Sequence, residues 1–370
     1  MEDPGPGLLR PGEEVEGYRI EAFIGQGQLA CVYGAIETQE RTRHCLKLLI
    51  SGSEKVFQRL VEEGEVLVNL RHPNIVGHRG VVQTRSGPAL VMEPVDGCSL
   101  KVLLEDATLN EYEAVGIASQ ILRGLDVAHE AGIHHRDLRP ANVLLAASDY
   151  DTNAKLSDFG IYNICIAGGR SATNRTGMTF GTPAYMSPEQ LTNKDQNPVA
   201  VDIYGVGALL YHMLCGRPPY DGTTLLQIIK QRAAGTHPNP QELNENISDG
   251  MVTLLNDLLA DNPGDRPESA KEVLRRLGQS AVPKAINGPL KEHVRKAAAR
   301  RRGDEPKWPP TATEVIQKQE KIAKKAEAPP PESADDGTPP VLMALGVGVG
   351  CISLSLALAA LAFGIFVGLQ

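Results

Sequence analysis

Apolar residues recur along this chain in two rhythms, and the change between them falls near residue 100. From Tyr18 to about Met92, short apolar or alternating runs are bounded by glycine and polar residues. Tyr18–Ile20, Cys31–Tyr33, Cys45–Leu49 and Ala89–Met92 are therefore predicted strands. One helix interrupts them over Lys55–Leu70, where Val56, Leu60, Val61, Leu67 and Leu70 fall at helical intervals. From Leu100 onward the period is helical, over Glu111–Ala131, Val201–Cys215, Leu225–Ala234, Asp249–Leu259 and Ala270–Leu277. Strands first and helices afterwards predict an α+β fold with two segregated lobes, not an alternating βαβ sheet. The domain is expected to cover 18–279, with a small, mainly β lobe at 18–93 and a larger, mainly α lobe at 97–279.

The flanks have a different character. Residues 1–17 are rich in Pro, Gly and Glu and read as a flexible N-terminus. They lack the basic stretch and apolar core of a signal peptide, so the domain is expected in the cytoplasm. Residues 280–340 form a linker, partly helical and partly disordered. Thr311-Ala312-Thr313-Glu314 is a capping box for a short helix to about Ala326, and Ala328–Pro340 is a Pro-rich acidic spacer. Residues 341–369 carry no charge, with Ser353 and Ser355 as their polar residues. At about 1.5 Å per residue they are long enough to cross a hydrocarbon layer of ~30 Å as one transmembrane helix. Only Gln370 follows, so no folded domain is expected beyond it. Lys318, Lys321, Lys324 and Lys325 favour a cytoplasmic inner flank, although Asp335 and Asp336 lie nearer the membrane. Gly346, Gly350, Ser353, Ala357, Ala360 and Gly364 form a stripe of small residues. Such a stripe suits a homodimer through the helix, or reflects ordinary membrane-helix composition.

Charge sharpens this division. Residues 281–330 hold 12 Lys/Arg against 6 Asp/Glu and residues 331–340 carry −3, so the first 280 residues contribute −11 to the total of −8. An acidic domain argues against nucleic acid as a partner. The basic stretch Lys291–Arg302 reads as a solvated linker or as a segment lying on anionic lipid. Six cysteines form no CxxC or other metal spacing and look like reduced thiols used as small apolar residues.

Chemistry concentrates in a few segments. His135-Arg136-Asp137-Leu138-Arg139-Pro140-Ala141-Asn142 places a carboxylate and a carboxamide five residues apart, and Asp158-Phe159-Gly160 follows. This order suits holding a metal-bound triphosphate beside a substrate hydroxyl. Gly25-Gln26-Gly27-Gln28-Leu29-Ala30-Cys31-Val32 lies between two strands, where paired glycines let backbone approach phosphate. By itself Gly-x-Gly-x-x-Ala also fits an ordinary hairpin. Lys47 ends an apolar strand. Its candidate partner is Glu63, nine residues before His72 in Leu70-Arg71-His72-Pro73-Asn74-Ile75-Val76, with Glu62 and Glu65 as alternatives. Glu93-Pro94-Val95 follows the Met92 strand as a hinge segment. Further on stand Gly181-Thr182-Pro183-Ala184-Tyr185-Met186-Ser187-Pro188-Glu189, Asp202-Ile203-Tyr204-Gly205 and Asp265-Arg266-Pro267.

Across residues 18–277 this set resembles the eukaryotic-like bacterial serine/threonine protein kinases. The resemblance implies a two-lobed kinase fold and transfer of the ATP γ-phosphate to Ser/Thr hydroxyls of protein substrates, with Mg²⁺ or Mn²⁺. It implies catalytic roles for Lys47, Asp137, Arg139, Asn142 and Asp158, with metal held by Asn142 and Asp158. It places Ile24, Gly25, Gly27, Val32, Cys45, Lys47, Glu63, Met92, Glu93 and Val95 around the nucleotide. Glu189, Asp202 and Arg266 are then structural, Glu189 pairing with Arg266 and Asp202 anchoring the catalytic loop. Two departures stand out: Ala30 replaces a third glycine, and Arg139 replaces the usual lysine, keeping the charge but changing its geometry. Pro140 and Thr182 favour serine/threonine over tyrosine substrates. Arg136 suits switching by activation-segment phosphorylation at Thr173, Thr176 or Thr179, with Ser171 behind them. The competing reading is a membrane-tethered pseudokinase that scaffolds nucleotide or partners.

Overall fold

The computed structural model describes residues 9–26, 30–49, 54–105, 107–147, 152–159, 183–192, 197–222, 225–234, 237–278 and a few positions between 290 and 298. Six strands, β1 (Glu14–Val15), β2 (Tyr18–Gln26), β3 (Ala30–Glu37), β4 (Arg43–Leu49), β5 (His78–Thr84) and β6 (Gly87–Met92), form one antiparallel sheet in the order β1-β2-β3-β4-β6-β5. Alternation along β4 decides which side chains face the cleft. His44, Leu46 and Leu48 are buried on one face, while Cys45 and Lys47 lie half-buried on the other. The register then sets Lys47 opposite Val32 and Leu90, and Cys45 opposite Gly34 and Met92. Six positions on three separate strands become neighbours through main-chain hydrogen bonding alone.

Helix α1 (Glu54–Leu67) packs on this sheet with Val56, Leu60, Gly64 and Leu67 buried. A methyl group at Gly64 would overlap the side chains of Val81 and Leu90, so α1 sits as close to the sheet as its backbone permits. The helix stops three residues before the expected Leu70. Asn69 and Leu70 bond to the carbonyls three residues back, tightening the last turn before Pro73.

The second lobe is helical, as the apolar period requires. It comprises α2 (Leu100–Leu104), α3 (Glu111–Glu130), α4 (Pro198–Cys215), α5 (Leu225–Ala234), α6 (Asp249–Leu258) and α7 (Ala270–Gly278). Asn110 and Glu113 close a capping box on α3. Helix α4 starts at Asn197, whose side chain accepts from the Ala200 N–H, and ends at Gly216 with φ of 72°. It is apolar on every side and forms the centre of the core with α3, α6 and α7. Among the described residues it is the one helix long and apolar enough to cross a membrane, yet it is mostly buried inside the lobe.

A three-stranded sheet of β7 (Gly97–Ser99), β8 (Val143–Ala147) and β9 (Thr152–Leu156) lies between the lobes' helices and the cleft. These strands are too short for periodicity to reveal. Gly97 is required there, because a Cβ would collide with the Leu145 carbonyl of the paired strand. Packing also continues past the expected domain end at 279, since Leu290, Val294 and Ala298 bury into the helical core. Cys31, Cys45, Cys98 and Cys215 are free thiols. The transmembrane segment 341–369, its stripe of small residues, most of the linker, Gly27 and the hydroxyls at 171, 173, 176 and 179 lie outside the described residues.

Candidate active site

The loop from Ile133 to Arg139 connects α3 to a turn of 3₁₀ helix at Pro140–Asn142. It is fastened from below by Asp202 on α4. One oxygen of that buried carboxylate accepts from the His135 N–H at 2.9 Å and from His129 Nε2 at 2.8 Å. The other accepts from the Arg136 N–H at 2.6 Å. Arg136 is thereby held at φ 61°, a conformation that non-glycine residues avoid, and Gln190 Nε2 bonds to its carbonyl at 2.8 Å. Burial pushes the Asp202 carboxyl upward. The His129 hydrogen bond and charge, with His135 and the Arg136 N–H, outweigh it and hold the carboxyl below its ordinary range. Gly205 lets the loop settle onto α4, since any Cβ there would strike Leu138.

His135 is fully buried and ties the loop to the strand that follows it. Its Nδ1 accepts from the Asp137 N–H at 3.3 Å, which leaves Nε2 to donate to the Ser157 carbonyl at 2.9 Å. Asn142 links the same two segments. Its Nδ2 donates to the Asp137 carbonyl and carboxylate at 2.8 and 2.9 Å, and its carbonyl accepts from the Ser157 N–H at 2.9 Å. Arg139 Nε lies 3.4 Å from the Asp137 carboxylate. Residues 137, 139, 142 and 158, scattered over two loops in the sequence, thus share one electrostatic cluster.

Asp158 follows with φ of 71°, a second strained non-glycine residue. Lys47 Nζ donates to its carboxylate. Burial raises this carboxyl, but the Lys47 charge and hydrogen bond, assisted by His135 and Arg139, bring it below the usual range. The expected partner of Lys47 was Glu63, and here Lys47 pairs with Asp158 instead. Glu63 is half-buried on α1, its carboxyl pushed up mainly by burial and by Glu62, with Arg59 and Arg136 acting in the opposite sense.

A cleft of about 510 Å³ opens above these groups. Ile24, Gly25, Val32, Cys45, Lys47 and Met92 line its roof and back. Glu93 and Val95 lie at its hinge edge and Asp158 at its floor. Val76, Leu144 and Ser157 also line it and escaped sequence reading. Leu144 was accessible in principle, because it lies two residues beyond Asn142 and extended chain turns residues two apart to the same side. Oxygen donors on Asp158 and Asn142 suit a hard divalent cation. Because Asn142 spends its amide N–H groups on Asp137, its amide oxygen is the atom that remains for a metal.

Glu189 and Arg266 form a buried two-pronged pair at 2.6 and 2.9 Å. Arg266 donates further to the carbonyls of Ala200 and Ala260 at 2.9 and 2.8 Å, and its guanidinium lies 5.0 Å from the Tyr204 ring centre. Burial raises the Glu189 carboxyl, and the Arg266 hydrogen bonds and charge overcome this and lower it.

Residues 18–277 match the family described as protein kinase domain. The serine/threonine-protein kinase PkaA of Streptomyces coelicolor is 36% identical over 275 residues, covering 70% of this chain and 49% of that protein. Serine/threonine-protein kinase pkn3 of Myxococcus xanthus is 32% identical over 269 residues, covering 70% of this chain and 49% of its own length. The chain therefore spans about half the length of these curated relatives. The crystal structure of the Mycobacterium tuberculosis PknI kinase domain shares the fold, with a TM-score of 0.60 at 24% identity over 74% of this chain and 100% of that one.

Replacing Arg266 with Met should cost about 3–5 kcal/mol of folding stability by urea denaturation, because Glu189 would be left buried and unpaired. Both Glu189 and Asp202 titrate below their ordinary values of 4.5 and 3.8. Their stabilisation is complete above those values and disappears as pH falls through the lower folded ones. The wild-type chain should accordingly lose stability below about pH 4, and Arg266→Met should lose the Glu189 share of that dependence. An unaltered acid profile in the variant would refute the role given to this pair.

Proposed function

Because the chain belongs to the protein kinase family, we propose that it is an ATP- and Mg²⁺-dependent protein serine/threonine kinase held on the cytoplasmic face of a membrane by its C-terminal segment. The observation that carries the reading is a chain of contacts: Lys47 meets Asp158 in the cleft, Ser157 beside Asp158 bonds to Asn142, and Asn142 and Arg139 meet Asp137 on the adjoining loop. Phosphoryl transfer asks a protein mainly for placement and charge neutralisation, and this cluster supplies both. Asp137 accepts or orients the proton of the substrate hydroxyl. Asn142 holds Asp137 in place through its two hydrogen bonds. Lys47 binds α- and β-phosphate oxygens, and Arg139 neutralises the γ-phosphate with a forked rather than point-like cation. Asn142 and Asp158 would hold Mg²⁺, which when bound neutralises phosphate charge.

Serine/threonine preference is supported by Pro140 and Thr182 and by the names of the curated relatives. Activation-segment phosphorylation is supported by Arg136, which lies directly before Asp137 in a strained conformation and carries a charge that a phosphate could meet. Membrane attachment is supported by the 29 uncharged residues at 341–369, and association of two chains by their small-residue stripe.

Five outcomes test this function. Purified full-length chain in detergent should transfer label from ATP to a generic basic protein, and Asp137→Asn should lower turnover by about 10²–10⁴-fold with folding unchanged by circular dichroism. Chelating divalent cations should abolish transfer, whereas a chain that binds ATP but never transfers label is the pseudokinase. Alanine at Ser171, Thr173, Thr176 and Thr179 together should reduce turnover and self-labelling, and unchanged values would remove the phosphorylation switch. In membranes the chain should resist carbonate extraction and, once residues 341–369 are deleted, become soluble. Leucine at Gly350 and Ala357 should weaken pairing in a membrane dimerisation reporter, and equal signal would clear that stripe of the role.

A further inference from the structure

Glu93 stands at the hinge, where its main chain is expected to meet a nucleotide base, yet its side chain is also committed. The Glu93 N–H donates to the Gly77 carbonyl at 2.8 Å, and the Glu93 carboxylate accepts the Gly77 N–H at 2.9 Å. The same carboxylate oxygen accepts from Lys155 Nζ at 2.7 Å. Lys155 belongs to β9, three residues before Asp158. Main-chain bonds close the circuit. The Val76 N–H donates to the Leu156 carbonyl at 2.8 Å, and the Leu156 N–H to the Asn74 carbonyl at 2.8 Å. One loop of contacts therefore runs from the hinge through Gly77 and Asn74–Val76 to β9, and Lys155 returns it to Glu93.

Within that loop every other contact uses a main-chain group on at least one side, and the ion pair is the member made of side chains alone. Lys155 is 17% exposed and Glu93 36%, so water screens the pair only in part. The two ends it joins are those that grip opposite ends of a nucleotide triphosphate: the base at the hinge, and the phosphates with their metal at Asp158.

We propose that the Glu93–Lys155 pair is a brace that fixes the distance from the hinge to Asp158, which makes both side chains positioning residues for ATP. This rests on reading the cleft as an ATP site. A brace of this kind has a signature that a merely stabilising ion pair lacks. A ligand that spans both ends feels the spacing, whereas one that touches only the hinge does not.

The test uses the full-length chain, with dissociation constants for Mg²⁺-ATP and for adenosine measured by calorimetry, and kcat and KM measured alongside. Lys155→Met should raise both the Kd and the KM for Mg²⁺-ATP about three- to tenfold while adenosine binding and kcat change less than about twofold. Lys155→Arg, which keeps the charge, should restore ATP affinity. Glu93→Gln keeps an acceptor for Gly77 and should weaken Mg²⁺-ATP binding at least as much as Lys155→Met, and adding Lys155→Met to it should weaken binding no further. Equal weakening of ATP and adenosine, unchanged ATP affinity in Lys155→Met, or failure of Lys155→Arg to restore it would each overturn the brace. A wild-type chain that binds neither ligand overturns the nucleotide reading itself. One that binds both, with Lys155→Met indistinguishable from it, overturns the brace alone.

Discussion

The carboxylate of Asp202 is the constraint on which the site depends. A charge in the second turn of a buried apolar helix is costly, and three hydrogen bonds, from His129 and from the N–H groups of His135 and Arg136, offset that cost. Those bonds have a direction. They can be satisfied only when the loop before Asp137 bends into the conformation seen at Arg136, with φ 61°. Desolvation of one acid thus dictates the shape of a loop that has little regular structure of its own. Helix α4 is rigid enough to bear this because it is buried along almost its whole length and packed against α3 and α6.

From that anchor the remaining parts follow by contact. His135 and Asn142 transmit the loop's position to Ser157, and Ser157 precedes Asp158. On the opposite wall, strand register carries Lys47 to the same place from a different lobe. Lys47 holds the Asp158 carboxyl below its usual range, and Asn142 and Arg139 meet the Asp137 carboxylate. Glu189 and Arg266 repeat the arrangement deeper in the helical lobe, where they join the helix Pro188–Leu191 to the turn before α7. Ionised groups held by partners in a shielded cleft act on a transferring phosphoryl group more strongly than they would in water.

Much of this was legible beforehand, and the failures are instructive. Helices α3 to α7 were readable because each presents a long apolar face or, in α4, an apolar surface all round. Strands β7 to β9 were not, because three to five residues carry too little periodicity and their pairing partners are remote. Glu62, Glu63 and Glu65 all lie on one helix, and the sequence offers an offset but no distance. Which of them reaches the cleft depends on how α1 rests on the sheet, and that is set by the contact of Gly64 with Val81 and Leu90. The brace between Glu93 and Lys155 was equally hidden, since 62 residues separate its members.

By itself the sequence determined the chemistry available to this protein and the order of its parts. Side-chain identity fixes charge and donor type, and short-range periodicity fixes helix against strand. Tertiary structure alone decided the pairings: Lys47 with Asp158 and not Glu63, Glu93 with Lys155, and the strain at Arg136 and Asp158. Such pairings depend on ångström-scale distances between separate elements. Those distances emerge from strand register and from the closest approach of packed surfaces, and no local pattern along a chain encodes either.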